Sequence, residues 1–244
     1  MSRGYHLDDK KKGKVNKIIP IEQYKINLAF KCNYSINKQK SKSGVTAISE
    51  HFIYLFKKGF LKNSLNLIKQ VHLFDLSSFS TFSDDQCQFS TNSKDQIKIK
   101  SDLVLRFASV LLRNYMIIRI PLQSKMKIDL HDSSSFVNFR PSLSFSQSYQ
   151  FFYNGLCSYH NVTYFHSFVR LLHSMINDQN CIADLTKLPF NEISATFKKP
   201  IDLNPVIQTF SYLPFLSGIT ISNVNRPDMA FVCSKLISDD SHLQ

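Results

Sequence analysis

Apolar and polar residues alternate with period two through most of the first hundred positions, and with a period near 3.6 after them. Ile26, Leu28, Phe30 and Cys32 alternate with Asn27, Ala29 and Lys31, which predicts a strand. Asn37 to Gly44 (NKQKSKSG) is a polar turn. Val45–Ser49 and His51–Lys57 predict short strands, with a second turn at Lys58–Asn63. Leu65–Phe74 predicts a strand that runs past a bend towards Phe82. After a turn at Ser83–Asp85, Cys87–Thr91 and Gln96–Lys100 complete about seven strands. The period then changes. In Asp102–Arg119, Leu103, Phe107, Val110, Leu111 and Ile118 form one stripe and Asp102, Arg106, Ser109 and Arg113 another. That is an amphipathic helix with one face to bury, with Ser101 as its N-cap and Pro121 beyond its end.

Residues 120–143 carry Pro121, Pro141 and the polar run Asp132–Ser135, and read as a linker. A helix is predicted from Ser144, with Phe145, Tyr149, Phe152 and Leu156 on one face and Gly155 near its end. A second helix, Thr163–Ile176, places Phe165, Phe168, Leu172 and Met175 together. Cys181–Leu188 then reads as a strand and Pro205–Leu213 as a helix with Asn204 as N-cap. Leu216–Ser222 reads as a strand with Leu216, Ile219 and Ile221 in L-x-x-L-x-L spacing, and another helix opens near Pro227. Two strand–helix units of this kind suggest entry into a leucine-rich-repeat array.

Charge adds a second theme. The net charge is +12, and residues 1–62 supply fourteen Lys and Arg against four Asp and Glu. A surplus confined to one end suggests an anionic partner. Residues 1–19 read as a flexible basic arm. They have no apolar core of a secretory signal, and no apolar run nears the roughly 20 residues a spanning helix needs. Cys32, Cys87, Cys157, Cys181 and Cys233 are odd in number and never in C-x-x-C spacing, which argues against a disulfide framework or a zinc site and fits a reducing compartment. No G-x-S-x-G, P-loop or H-E-x-x-H motif is present, and six glycines leave little room for a phosphate loop. No catalytic residue, metal ligand or cofactor is therefore expected. The basic end shows neither the aromatic–basic pattern of an RNA-binding sheet nor zinc spacing, so nucleic acid is not the expected partner.

Seven strands followed by one amphipathic helix is the order of a pleckstrin-homology-type domain, a bent sheet whose open end the helix plugs. In that fold the first turn (Lys38, Lys40, Lys42) and the third (Lys57, Lys58, Lys62) emerge at one rim, predicting a six-lysine site for anionic lipid. Near an anionic leaflet each lysine contributes about 1 kcal/mol, falling with salt. The second strand, read as Val45–Ser49, carries no Lys or Arg. That favours non-specific attraction over recognition of one phosphoinositide headgroup.

Phe145-Ser146-Gln147-Ser148-Tyr149, the aromatic helix to Gly155 and the strand around Leu185 resemble the linker and first repeat of the CARMIL family, the capping-protein, Arp-complex and myosin-I linkers of the actin cytoskeleton. Asp202-Leu203, Val206-Ile207, Phe215-Leu216 and Ile219-Thr220-Ile221 continue the resemblance. It implies a pleckstrin-homology-type domain ahead of the linker, without the usual helix Trp, and this chain contains no Trp. It also implies cytoskeletal protein partners for the repeats. The family's long capping-protein-binding tail has no counterpart here, so that activity is not carried over.

The expected fold class is α+β: a PH-like barrel capped by a helix (20–120), a linker with a helix (121–160) and the first leucine-rich repeats (161–244), after the arm (1–19). The expected function is a non-enzymatic, membrane-associated scaffold of actin assembly, cytoplasmic and peripheral at the inner face of the plasma membrane. The alternatives are a repeat adaptor unrelated to actin and a basic nucleic-acid-binding module. Oligomeric state stays open.

Overall fold

The computed structural model describes residues 26–59, 64–119, 126–132, 143–178, 182–184 and 204–220. The basic arm and the helix expected near Pro227 lie outside them. The chain divides into two compact units, residues 1–116 with 124–141, and residues 117–123 with 142–244.

The first unit holds β1 (Ile26–Ile36), β2 (Lys42–Ser49), β3 (Phe52–Lys58), β4 (Leu65–His72), β5 (Leu76–Ser83), β6 (Gln86–Thr91), β7 (Gln96–Lys100), then helix α1 (Val104–Arg119) and a short β8 (Lys127–Asp129). The strands form one sheet in the order β4-β3-β2-β1-β7-β6-β5-β8. Strand β1 joins the two halves: Ile26 to Tyr34 pair with β2, and Asn33 to Ile36 pair with β7. Seven antiparallel strands in this order, closed by a helix, form a mixed α+β arrangement that resembles the PH-like fold.

The bend expected between β4 and β5 is a 3-10 turn, Leu73–Asp75, whose Phe74 N–H donates to His72 Nδ1 at 3.1 Å. Two boundaries differ from the sequence reading. Strand β2 begins at Lys42 rather than Val45, because Lys42, Ser43 and Gly44 pair with Tyr34, Asn33 and Cys32. Helix α1 begins at Val104 rather than Asp102. Ser101 is drawn into tying the chain to β1: its Oγ donates to Lys31 O at 2.9 Å and accepts from Leu103 N–H at 3.3 Å. The expected linker also contributes β8, which pairs in parallel with β5.

Phe107 of α1 lies 5.7 Å from the ring of Phe30 and 6.5 Å from that of Phe89, so the helix plugs the space between the two half-sheets. Deeper along α1, Asn114 Nδ2 donates to Ser49 O at 2.9 Å, pinning the helix to the β2–β3 hairpin. Strands β2 and β3 are buried on both faces. Ile48, Ile53 and Leu55 share the face of Phe30, while Ala29, Val45, Ala47, Phe52, Tyr54 and Phe56 form a separate buried cluster on the other. That explains why their sequences read as nearly continuous apolar runs.

The second unit contains α2 (Phe145–His160), α3 (His166–Asn177), β9 (Ile182–Asp184), α4 (Asn204–Ser211) and β10 (Gly218–Thr220). A capping box starts α2: Ser144 Oγ accepts from Gln147 N–H at 3.3 Å, and Gln147 Oε1 accepts from Ser144 N–H at 2.9 Å. Gly155 does not end this helix. It is buried mid-helix, and the helix runs five residues further to His160 before left-handed Asn161 ends it, with Val162 N–H donating to Cys157 O at 2.9 Å. The core is aromatic: Phe168 packs 4.4 Å from the ring of Tyr153 and 5.1 Å from that of Phe210. Strands β9 and β10 pair in parallel, with α4 between them in sequence. Among the described residues this is one parallel pair and not a repeat solenoid. Leu216 of the L-x-x-L-x-L pattern is buried, and Ile221 lies outside the described residues.

Candidate anionic-surface interface

The β1–β2 turn reverses at Asn37 and Lys38, with φ of 50° and 63°, and Gln39 N–H donates to Ile36 O at 3.0 Å. Two left-handed central residues make the mirror-image turn that matches the twist of a hairpin. Asn37 makes it affordable by bonding outward. Its N–H donates to Gln96 O at 2.9 Å and its Nδ2 to Asp95 Oδ1 at 2.7 Å, while its Oδ1 accepts from Gln96 N–H at 2.8 Å. Asp95 also accepts from Lys69 of β4. Hydrogen bonding from Lys69, then from Asn37, holds the Asp95 carboxyl below its ordinary value. The first turn is thereby latched to the β6–β7 turn, and its tip is held in one conformation.

Lys38 and Lys40 project from this latched turn, and Lys42 opens β2; all three are exposed. Gly44 pairs with Lys57, so the end of β3, with exposed Lys57 and Lys58, runs alongside the start of β2. Gly59 N–H donates to Ser64 O at 2.8 Å, closing the base of the third turn. Five of the six predicted lysines therefore stand at one end of the β1–β2–β3 layer. Lys62 lies outside the described residues.

The second strand does carry a lysine, Lys42, opposite Tyr34. The absence of a basic residue on β2 therefore no longer argues against headgroup contact. Tyr34 is buried, and its hydroxyl has no hydrogen-bond partner among the described residues.

Sequence reasoning missed a second basic surface. Lys100 pairs with Asn33 and Gln86, and Lys98 with Ser35 and Gln88, so both stand on the polar face of β1, β7 and β6. Lys31, two residues before Asn33, shares that face and is exposed. The alternation in Ile97–Lys100 was visible, but the partner strand, some sixty residues earlier, was not. Asp85 lies 3.3 Å from Lys100 and moderates this patch.

Burial pushes the Cys32 thiol up to about 11 and raises that of Cys87 further, so both stay protonated at neutral pH. Among the described residues no group of three His, Cys, Asp or Glu could hold a metal ion. No described helix is long and apolar enough to cross a membrane.

No family model matches the chain, and no curated protein matches it. Solved structures do. The C-terminal domain of an unknown protein from Leishmania infantum is 13% identical with a TM-score of 0.36, over 43% of this chain and 97% of that one. A Slm1 PH domain in complex with phosphoserine is 13% identical with a TM-score of 0.30, over 37% of this chain and 93% of that one. A linker-DH/PH fragment of p115-RhoGEF is 9% identical with a TM-score of 0.35, over 41% of this chain and 31% of that one.

Proposed function

We propose that the chain is a non-enzymatic scaffold that lies on anionic membrane through its PH-like domain and binds protein through its C-terminal strand–helix units. The observation that carries this reading is the convergence of Lys38, Lys40, Lys42, Lys57 and Lys58 at one end of the sheet, on a turn held by Asn37 and Asp95. Five exposed lysines near an anionic leaflet contribute about 1 kcal/mol each, enough for weak, salt-sensitive attachment without a deep pocket. The actin-cytoskeleton role and the placement at the inner face of the plasma membrane rest on the CARMIL resemblance. The parallel β9–β10 pair with α4 between is what the first stack of a leucine-rich array would look like.

The test is co-sedimentation of the full chain with phosphatidylserine-containing and neutral vesicles at physiological and high salt, beside a Lys38→Glu, Lys40→Glu, Lys42→Glu variant. The expected result is binding to the anionic vesicles only, weakened at least tenfold by either salt or the triple change. Full binding by the triple variant moves the site to the basic arm or to the Lys31, Lys98 and Lys100 face. No binding to anionic vesicles ends the membrane reading.

A further inference from the structure

The edge of β5 carries an unusual occupant. Strand β8 pairs with it in parallel over three residues: Lys127 opposite Ser78, Ile128 opposite Phe79 and Asp129 opposite Ser80. Strand β5 itself is eight residues long, so most of its edge is not covered by this pairing. Two side chains of the first unit receive the ends of the segment. Tyr115 Oη of α1 accepts from Met126 N–H at 2.5 Å, and Thr81 Oγ of β5 accepts from His131 N–H at 2.9 Å. The segment docks by alternation. Met126 is buried and Ile128 half-buried, while Lys127 and Asp129 are exposed.

The β5 side of this contact is thus complete without β8: a strand edge, an apolar position for one side chain beside Phe79, and a hydroxyl at each end that accepts a backbone N–H. The β8 side is short and parallel, the less stable pairing per residue. Backbone hydrogen bonds supply affinity in strand addition, and alternate side chains supply selection.

We propose that the β5 edge is a strand-addition site, filled in cis by Met126–His131, that accepts an extended segment of a partner protein with the same apolar–charged–apolar–charged alternation. Among the described residues β8 alone pairs with this edge, so displacing it opens the edge to a longer partner strand. The segment between α1 and α2 then acts as a built-in competitor for the site.

The test uses the full chain and a labelled peptide of sequence Met126–Asp132 (MKIDLHD). A Met126→Ser, Ile128→Ser variant detaches the strap and leaves Tyr115 and Thr81 in place. Fluorescence anisotropy is expected to show peptide binding to this variant at least tenfold tighter than to the unaltered chain. Adding Thr81→Val should weaken that binding several-fold, because the His131 N–H of the peptide loses its acceptor. A folded double-serine variant that does not bind, or equal binding by the unaltered chain, overturns the proposal. Hydrogen exchange on the unaltered chain provides the second reading if the variant does not fold. Amides of Met126–His131 should exchange at least tenfold faster than those shared by β5 and β6, and equal protection overturns a displaceable strap.

Discussion

Gly44 shows how tightly the lysine-bearing rim is built. A Cβ there would sit 2.2 Å from Phe56 O and 2.5 Å from the Tyr34 ring, one of them rigid backbone. Gly44→Ala should therefore force β2 and β3 apart and cost about 1–3 kcal/mol, read as a lower urea midpoint. Asp95 is the second residue on which the rim depends. Its carboxyl is held low by Lys69 and Asn37, so its contribution is complete above the unfolded value of about 3.9 and is lost as pH falls through the lower folded value. Asp95→Asn should melt below the unaltered chain at pH 7. The gap between the two should hold at neutral pH and close as pH falls through the lowered folded value. A pH-independent gap would show that the ion pair with Lys69 contributes nothing.

Among the elements, β6 and β7 were legible because each buries alternating residues, and β6 shows this residue by residue: Cys87, Phe89 and Thr91 buried, Gln86, Gln88 and Ser90 half-exposed. Strand β8 was not legible. Three residues carry too little periodicity, and what makes them a strand is the waiting edge of β5, a tertiary fact. The end of α2 was misplaced for a related reason. A glycine stops a helix only where the backbone turns left-handed, and that turn falls on Asn161, whereas Gly155 packs inside. The start of α2 is a local signal and was legible as such. Ser144→Ala should cost about 1 kcal/mol by removing the capping box, measured as a shift of the chemical-denaturation midpoint.

For the whole molecule, each unit has its own aromatic anchor: Phe107 with Phe30 and Phe89 in the first, Phe168 with Tyr153 and Phe210 in the second. Phe168→Ala should cost about 3–5 kcal/mol within the second unit. Hydrogen exchange of the β1–β7 amides is expected to change far less than that of α2 and α3. Uniform loss of protection across both would refute separate cores. The lysine cluster was legible as composition, since the turns announced themselves through polar runs. Its geometry was not, because the register that sets Lys57 beside Gly44 and the latch between Asn37 and Asp95 join residues far apart in the chain.

The shared role of β1 has a consequence for how the chain is made. Its edge facing β2 is paired as soon as Lys42–Ser49 follow, but on the other edge Asn33–Ile36 must wait for Ile97–Lys100. At about 5–20 residues per second that interval is about 3–13 s, during which the last four residues of β1 stand with an open edge on the ribosome. The waiting tetrapeptide is Asn-Tyr-Ser-Ile and leads into Asn-Lys-Gln-Lys, a poorly apolar, positively charged template for mispairing. The lysines at this turn would thus guard the nascent chain against its neighbours before they meet any partner.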